Sequence, residues 1–220
     1  KAEGSILLEP FTWNFVYALN SINIASLCDV LPKGFLNNVG GMSIGGMLTT
    51  NGDNIEKLLY NLYSKSSFIV KDAEINNFSI DDFIDNFYSI SYNTANITTD
   101  LQLALLTGQT DVDTLKGDLE LSQGVLNLKN TSLKTKESIA SIVASINLYS
   151  FALNLDALFS FHPRSQLRAL QGTISRPMQL GVNVLGTIFA PQKTSDSDKF
   201  IQMLNTPDKS RVDPYLKIRK

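Results

Sequence analysis

The sequence predicts a mainly β chain with a few helices, and three observations carry that reading. From Phe151 onward, Phe151, Leu153, Leu155, Ala157, Phe159 and Phe161 share one parity, while Asn154, Asp156 and Ser160 hold the other. That is the period-two pattern of a long amphipathic strand. Between Leu115 and Leu133, β-favouring runs alternate with turn residues at Ser122-Gln123-Gly124 and Asn130-Thr131, as short antiparallel strands do. Two stretches, 54–63 and 80–87, carry apolar residues at helical spacing instead.

Taken in order, residues 1–40 hold short β-favouring pieces at Ile6-Leu7-Leu8, Phe15-Val16-Tyr17 and Ile22-Asn23-Ile24, broken by Pro10, Asn14 and Asn20-Ser21. This region reads as irregular, with a short helix around Ile24 to Leu31. After the Gly40-Gly41 turn, Met42, Ile44 and Leu48 alternate with small residues, as in a Gly-rich strand. Asn51-Gly52-Asp53 makes a turn into a helix whose Ile55, Leu58, Leu59 and Leu62 share a face, with Asp53 or Asn54 as its cap. Phe68-Ile69-Val70, Lys71-Asp72 and Glu74-Ile75 read as a hairpin. A second helix starts after Ser79, with Asp81 and Asp82 in its first turn and Ile80, Phe83, Ile84 and Phe87 on one face. Ser89 to Thr99 is polar and reads as a loop or short exposed strand.

Later, Gly117 to Leu121, Leu126 to Leu128 and a piece centred on Leu133 form successive strands. Ala140, Ile142, Ala144, Ile146 and Leu148 again share a parity, although the Ala-rich start also suits a helix. Gly172-Thr173-Ile174 leads through Arg176-Pro177 into Met178, Leu180, Val182 and Val184. Beyond Pro191 the periodicity fades, and residues 191–220 read as a polar helix or tail. A loose echo between Leu62–Val70 and Leu115–Leu121 suggests one β-unit repeated along a sheet.

Composition narrows the function. The 220 residues are 43% apolar and 18% charged, enough for a sizeable core. The 19 basic and 21 acidic side chains nearly cancel, so no nucleic-acid partner is expected. No apolar run approaches the ~18 residues of a membrane-spanning helix. A single cysteine, Cys28, and a single histidine, His162, support neither an internal disulfide nor a multi-ligand zinc site, and no cofactor is expected. The chain opens on Lys1 without a leader, which fits a fragment or a processed protein.

Motif order is more informative than any single motif. Met42 to Thr50 runs into Asn51-Gly52-Asp53-Asn54-Ile55-Glu56-Lys57-Leu58-Leu59. Leu62 to Ile75, Ile80-Asp81, Leu115-Lys116-Gly117-Asp118, Gly124-Val125-Leu126-Asn127-Leu128, Leu133-Lys134-Thr135, Ser145-Ile146-Asn147-Leu148 and Leu170 to Pro177 follow. Across Gly41 to Leu185 this order resembles the C-terminal region of the AsmA family of bacterial envelope proteins. Ala73 stands where that family has a turn Gly, Asn76-Asn77 replaces Lys-Gly, and Gln123 replaces a turn Asn. The resemblance implies a curved antiparallel sheet with an apolar groove, related to bridge-like lipid carriers. It makes residues 41–190 the AsmA-like domain and residues 1–40 its start or the end of an upstream repeat. It also implies a non-enzymatic periplasmic domain, held to the inner membrane by an anchor outside this chain. Such a protein supports outer-membrane biogenesis by moving phospholipid between inner and outer membranes, or by regulating protein targeting to the membrane. The alternative is an envelope module that pairs with another β-protein.

The residues expected to face lipid are Phe151, Leu153, Leu155, Ala157, Phe159, Phe161, Met178, Leu180, Val182 and Val184. Either they line an open trough, or they pack beneath the helices at 54–63 and 80–87. Other candidates carry less chemistry. Asp81, Asp82 and Asp85 fit a helix N-terminus and solvent better than a metal or acid–base site. His162 has no Gly-x-Ser-x-Gly partner, Cys28 reads as a buried hydrophobe, and the Gly40 to Gly46 glycines lack phosphate-loop spacing. Arg211, Lys217, Arg219 and Lys220 make a basic end that suits anionic headgroups or plain solvent. Asn96-Ile97-Thr98 and Asn130-Thr131-Ser132 match glycosylation acceptors, a match that is chance in a bacterial protein such as the resemblance implies.

Overall fold

The computed structural model describes residues 1–8, 11–22, 36–37, 40–87, 93–161 and 178–205. Ten strands form one open antiparallel meander, each beside its predecessor on the path. They are β1 (Ala2–Leu8), β2 (Phe11–Ile22), β4 (Gly41–Gly52), β5 (Tyr63–Asn76), β6 (Gln109–Ser122), β7 (Val125–Thr135), β8 (Ile139–Asn147), β9 (Ala152–Phe161), β10 (Met178–Thr187) and β11 (Ala190–Ser195). The two-residue β3 (Leu36–Asn37) pairs with the far end of β5. Four α-helices are described: α1 (Ile55–Tyr60), α2 (Ile80–Phe87), α3 (Ile97–Leu106) and α4 (Ser197–Asn205). The mainly β antiparallel class is the one the sequence predicts.

Several local readings change. Residues 1–40 are less irregular than expected, because β1 and β2 pair in register from Ala2↔Tyr17 to Leu8↔Phe11. The helix expected around Ile24 to Leu31 lies outside the described residues. Lys71-Asp72 does not reverse the chain. Asp72 takes a left-handed φ of 55° inside β5, and β5 pairs with β6 on both sides of it, at Val70↔Leu115 and Ala73↔Val112. One kinked strand replaces the expected hairpin. The echoing segments Leu62–Val70 and Leu115–Leu121 are antiparallel neighbours in this same ladder. Likewise, Asn130 at φ 49° marks a bulge, not a strand end, so the piece around Leu133 continues β7. The turn at Gln123-Gly124 is as expected, with both residues at positive φ in a two-residue hairpin.

The core lies on one face of the sheet, towards one end of its strands. The α2 face expected from spacing is realised, with Ile80, Phe83, Ile84 and Phe87 buried. The polar reading of the segment up to Thr99 missed the start of α3. Its Ile97, Leu101, Ala104 and Leu105 are buried, a helical i, i+4, i+7, i+8 set. Within residues 191–220, expected to be an exposed helix or tail, a helix does form as α4, but residues up to Ser195 complete β11 and α4 is not wholly exposed. Phe200 of α4 is fully buried among the rings of Phe83, Phe87 and Phe161. The helix α1 forms as predicted, with Asn54 Oδ1 accepting from Lys57 N at 2.9 Å. Its apolar residues do not join the core, however: Ile55 is 75% exposed and no α1 residue is buried.

Candidate functional site

Residues opposite one another on neighbouring strands point to the same face, so the pairing register traces each row of side chains across the sheet. One such rung crosses all ten strands of the meander: Lys193, Val184, Leu155, Ala144, Leu128, Leu119, Ser66, Gly46, Tyr17 and Ala2. The next rung, nearer the β9 start, runs Pro191, Gly186, Leu153, Ile146, Leu126, Leu121, Ser64, Leu48, Phe15 and Gly4. In both, the stretch from β6 to β10 contains no polar side chain. Leu119, Leu128, Leu153 and Leu155 are only partly buried and abut the core. The polar interruption comes at β5, where Ser64 and Ser66 bond to each other at 3.1 Å and Ser66 meets the Tyr17 hydroxyl at 2.5 Å.

Towards the other end of the strands, the same face is covered. Of the ten residues expected to face lipid, Ala157, Phe159, Phe161, Met178, Leu180, Val182 and Val184 are buried. They are packed in one cluster with Ile80, Phe83, Leu101 and Phe200 from the helices. For the six other than Val184 a lipid-facing role is corrected to a core role, because α2, α3 and α4 supply the apolar partners that a guest would otherwise provide; Val184, 8% exposed, is the β10 member of the Leu155 rung and sits at the edge of this cover. Of the two helices expected to do the covering, α2 takes part and α1 does not. Leu153 and Leu155 stay partly exposed on the two rungs. Phe151 is not in the strand at all. It occupies the preceding turn at φ 57°, is 43% exposed, and meets Phe189 edge-on at 5.2 Å.

Where the covered and uncovered parts meet, a cleft of ≈ 80 Å³ is lined by Ile75, Phe78, Leu133, Ile142, Leu155, Ala157, Phe159, Val182, Val184 and Lys193. Every lining residue but Lys193 is apolar. Lys193 Nζ donates to the Asn77 carbonyl at 2.5 Å and stands 6.0 Å from the centre of the Phe78 ring. Burial pushes its ammonium below the ordinary lysine range. Sequence reasoning missed this residue because Pro191, Lys193 and Ser195 are not an apolar series, so the alternation that reveals β9 is silent in β11.

The remaining candidates are Asp81, Asp82 and Asp85 among the described residues, and several outside them. Among the described residues no group of three His, Cys, Asp or Glu side chains is placed to bind a metal. Asp81 instead accepts a bond from the Thr135 hydroxyl at 2.7 Å, and burial, with Glu137 and Asp85 nearby, raises its carboxyl above the usual range. No described helix is long and apolar enough to cross a membrane. Cys28, His162, Arg211, Lys217, Arg219 and Lys220 lie outside the described residues. Comparison with protein-family models, with curated proteins and with solved structures found no match for this chain.

Proposed function

We propose that this chain is a lipid-carrying domain of an AsmA-type envelope protein, moving phospholipid between inner and outer membranes in support of outer-membrane biogenesis. The supporting observation is the pair of apolar rungs through Leu155 and Leu153, which no helix buries completely. An acyl chain of about 16 carbons in water is disfavoured by on the order of 10 kcal/mol at ~0.8 kcal/mol per CH₂. A surface that shields it removes most of that barrier. From β6 to β10 the two rungs carry no polar side chain, so a chain slides along that stretch without breaking hydrogen bonds.

The turns at this end of the strands suit delivery from a bilayer. Tyr149 and Phe189 are each 60% exposed, and Phe151 is exposed beside them. The amphipathic Tyr149 ring suits the membrane–water interface, and the two exposed phenylalanine rings suit the apolar side of it. In this reading the domain acts without catalysis, within the periplasm, through an inner-membrane anchor outside the chain. Any effect on protein targeting to the membrane follows from lipid balance.

A second reading is favoured by one observation: the sheet is open, and among the described residues β1 is paired on one side only. A free edge of this kind can add a strand from another envelope β-protein. Incubation of the purified domain with phospholipid vesicles, followed by mass spectrometry of the re-purified protein, separates the two. Bound phospholipid that is lost in Leu155→Asp, with the fold intact by circular dichroism, supports the carrier. Absence of lipid from the parent domain eliminates it.

A further inference from the structure

On the inner face of the described strands, one side chain is charged. The outer face carries Lys65, Lys116, Asp118, Glu120, Lys129 and Asp156, whereas the rungs of the inner face hold only Lys193. Among the described residues no carboxylate pairs with it, and burial alone depresses its ionisation. A half-buried ammonium above apolar side chains is an unfavourable arrangement unless an anion joins it. Its bond to the Asn77 carbonyl uses one of three donors.

We infer that the open face takes an anionic diacyl phospholipid, its phosphate held by the Lys193 ammonium and its two acyl chains laid along the Leu155 and Leu153 rungs. The inference rests on the carrier reading above. Lysine suits a phosphate because it acts as a point charge without demanding a planar partner. The dimensions agree. From β11 to β6 there are five inter-strand gaps, about 24 Å at ~4.8 Å each. An extended chain of about 16 carbons measures roughly 20 Å, at ~1.3 Å per bond along its axis. The two rungs are two residues apart along β9, about 6.6 Å, so each takes one chain. A zwitterionic headgroup brings its own cation and gains less from Lys193. A fatty acid fills one rung and leaves the second empty.

The test exposes the purified domain to vesicles of equal phosphatidylglycerol and phosphatidylcholine, with and without added palmitate, and measures bound lipid by mass spectrometry. The parent domain is expected to enrich phosphatidylglycerol on the order of tenfold, the size of one charge-assisted contact. Lys193→Gln brings the ratio to about one, and Lys193→Arg keeps it. Lys199→Gln, which removes a charge on α4 paired with Asp196, controls for net charge and keeps the enrichment. Equal uptake of both phospholipids by the parent overturns the anionic preference but leaves the carrier intact. Enrichment that survives in Lys193→Gln, or palmitate displacing phospholipid, overturns the assignment to this residue and to a diacyl lipid. No uptake of any lipid removes the carrier reading together with the inference.

Discussion

Gly117 on β6 and Thr131 on β7 approach so closely that a Cβ built on Gly117 lies 2.8 Å from the Cα of Thr131. The two meet within a bulge, after Lys116↔Ser132 and before Asp118↔Lys129. Thr131 is buried and fills, on the inner face, the space that Gly117 leaves bare. The close approach lets β7 bulge while the rungs on either side stay aligned.

Gly117→Ala is therefore expected to destabilise the domain by about 1–3 kcal/mol, because the new methyl group meets the Thr131 side chain and also its Cα at 2.8 Å, so turning the side chain alone does not make room. Urea denaturation measures it. An unchanged midpoint would show that the β6–β7 contact is looser than described.

The helix layer and α1 respond differently to truncation. Phe200→Ala leaves a hole among Phe83, Phe87 and Phe161 and is expected to lower stability by about 3–5 kcal/mol, with Leu101→Ala at about 2–5 kcal/mol. Ile55→Ser, on a helix with no buried residue, stays within about 0.5 kcal/mol. Thermal melts of the three variants distinguish the layer that holds the fold from the helix that does not.

Asp81 gives the domain a pH dependence. Burial, then the charges of Glu137 and Asp85, raise its carboxyl above the ordinary 3.8, and the Thr135 hydroxyl offsets them only in part. The folded state thus holds this proton more tightly than the unfolded chain. The associated stability is complete below the unfolded value near 3.8 and is lost as pH rises through the higher folded value. Asp81→Asn, whose Oδ1 still accepts from Thr135, is expected to melt higher than the parent at pH 7 and to show a smaller fall between pH 4 and neutrality. Melting temperatures that rise with pH across that window, unaltered by the substitution, would contradict the sign.

The exposed turns bear on delivery and not on capacity. Phe189→Ser removes a ring that is 60% exposed and is expected to slow vesicle-to-vesicle transfer of labelled phospholipid several-fold. The amount of lipid bound at equilibrium should stay the same. A loss of bound lipid without a change in rate would place Phe189 in the groove instead of at its rim.

Alternation by itself determined much of the sheet. The apolar parity of β9 and β10 is visible in Leu153 to Phe161 and Met178 to Val184, and the Gln123-Gly124 turn announces its hairpin. The α2 face follows from the spacing of Ile80, Phe83, Ile84 and Phe87. Where reading by pattern failed, a local signal had two physical outcomes. Asp72 and Asn130 each adopt positive φ, which suits a turn or a kink equally, and only the neighbouring ladder selects the kink. Beyond Pro191 the described residues carry one buried anchor, Phe200, too little periodicity to detect.

Tertiary structure alone decided which part of the apolar face is core. Phe159 and Leu155 look equivalent in sequence, two strand positions of like parity four residues apart. The first lies under the helices and the second beyond their edge, because α2, α3 and α4 are long enough to cover one end of the strands only. The same packing sets Lys193 at the boundary, since the path of a polar edge strand depends on its neighbour β10 and leaves no mark in its own residues.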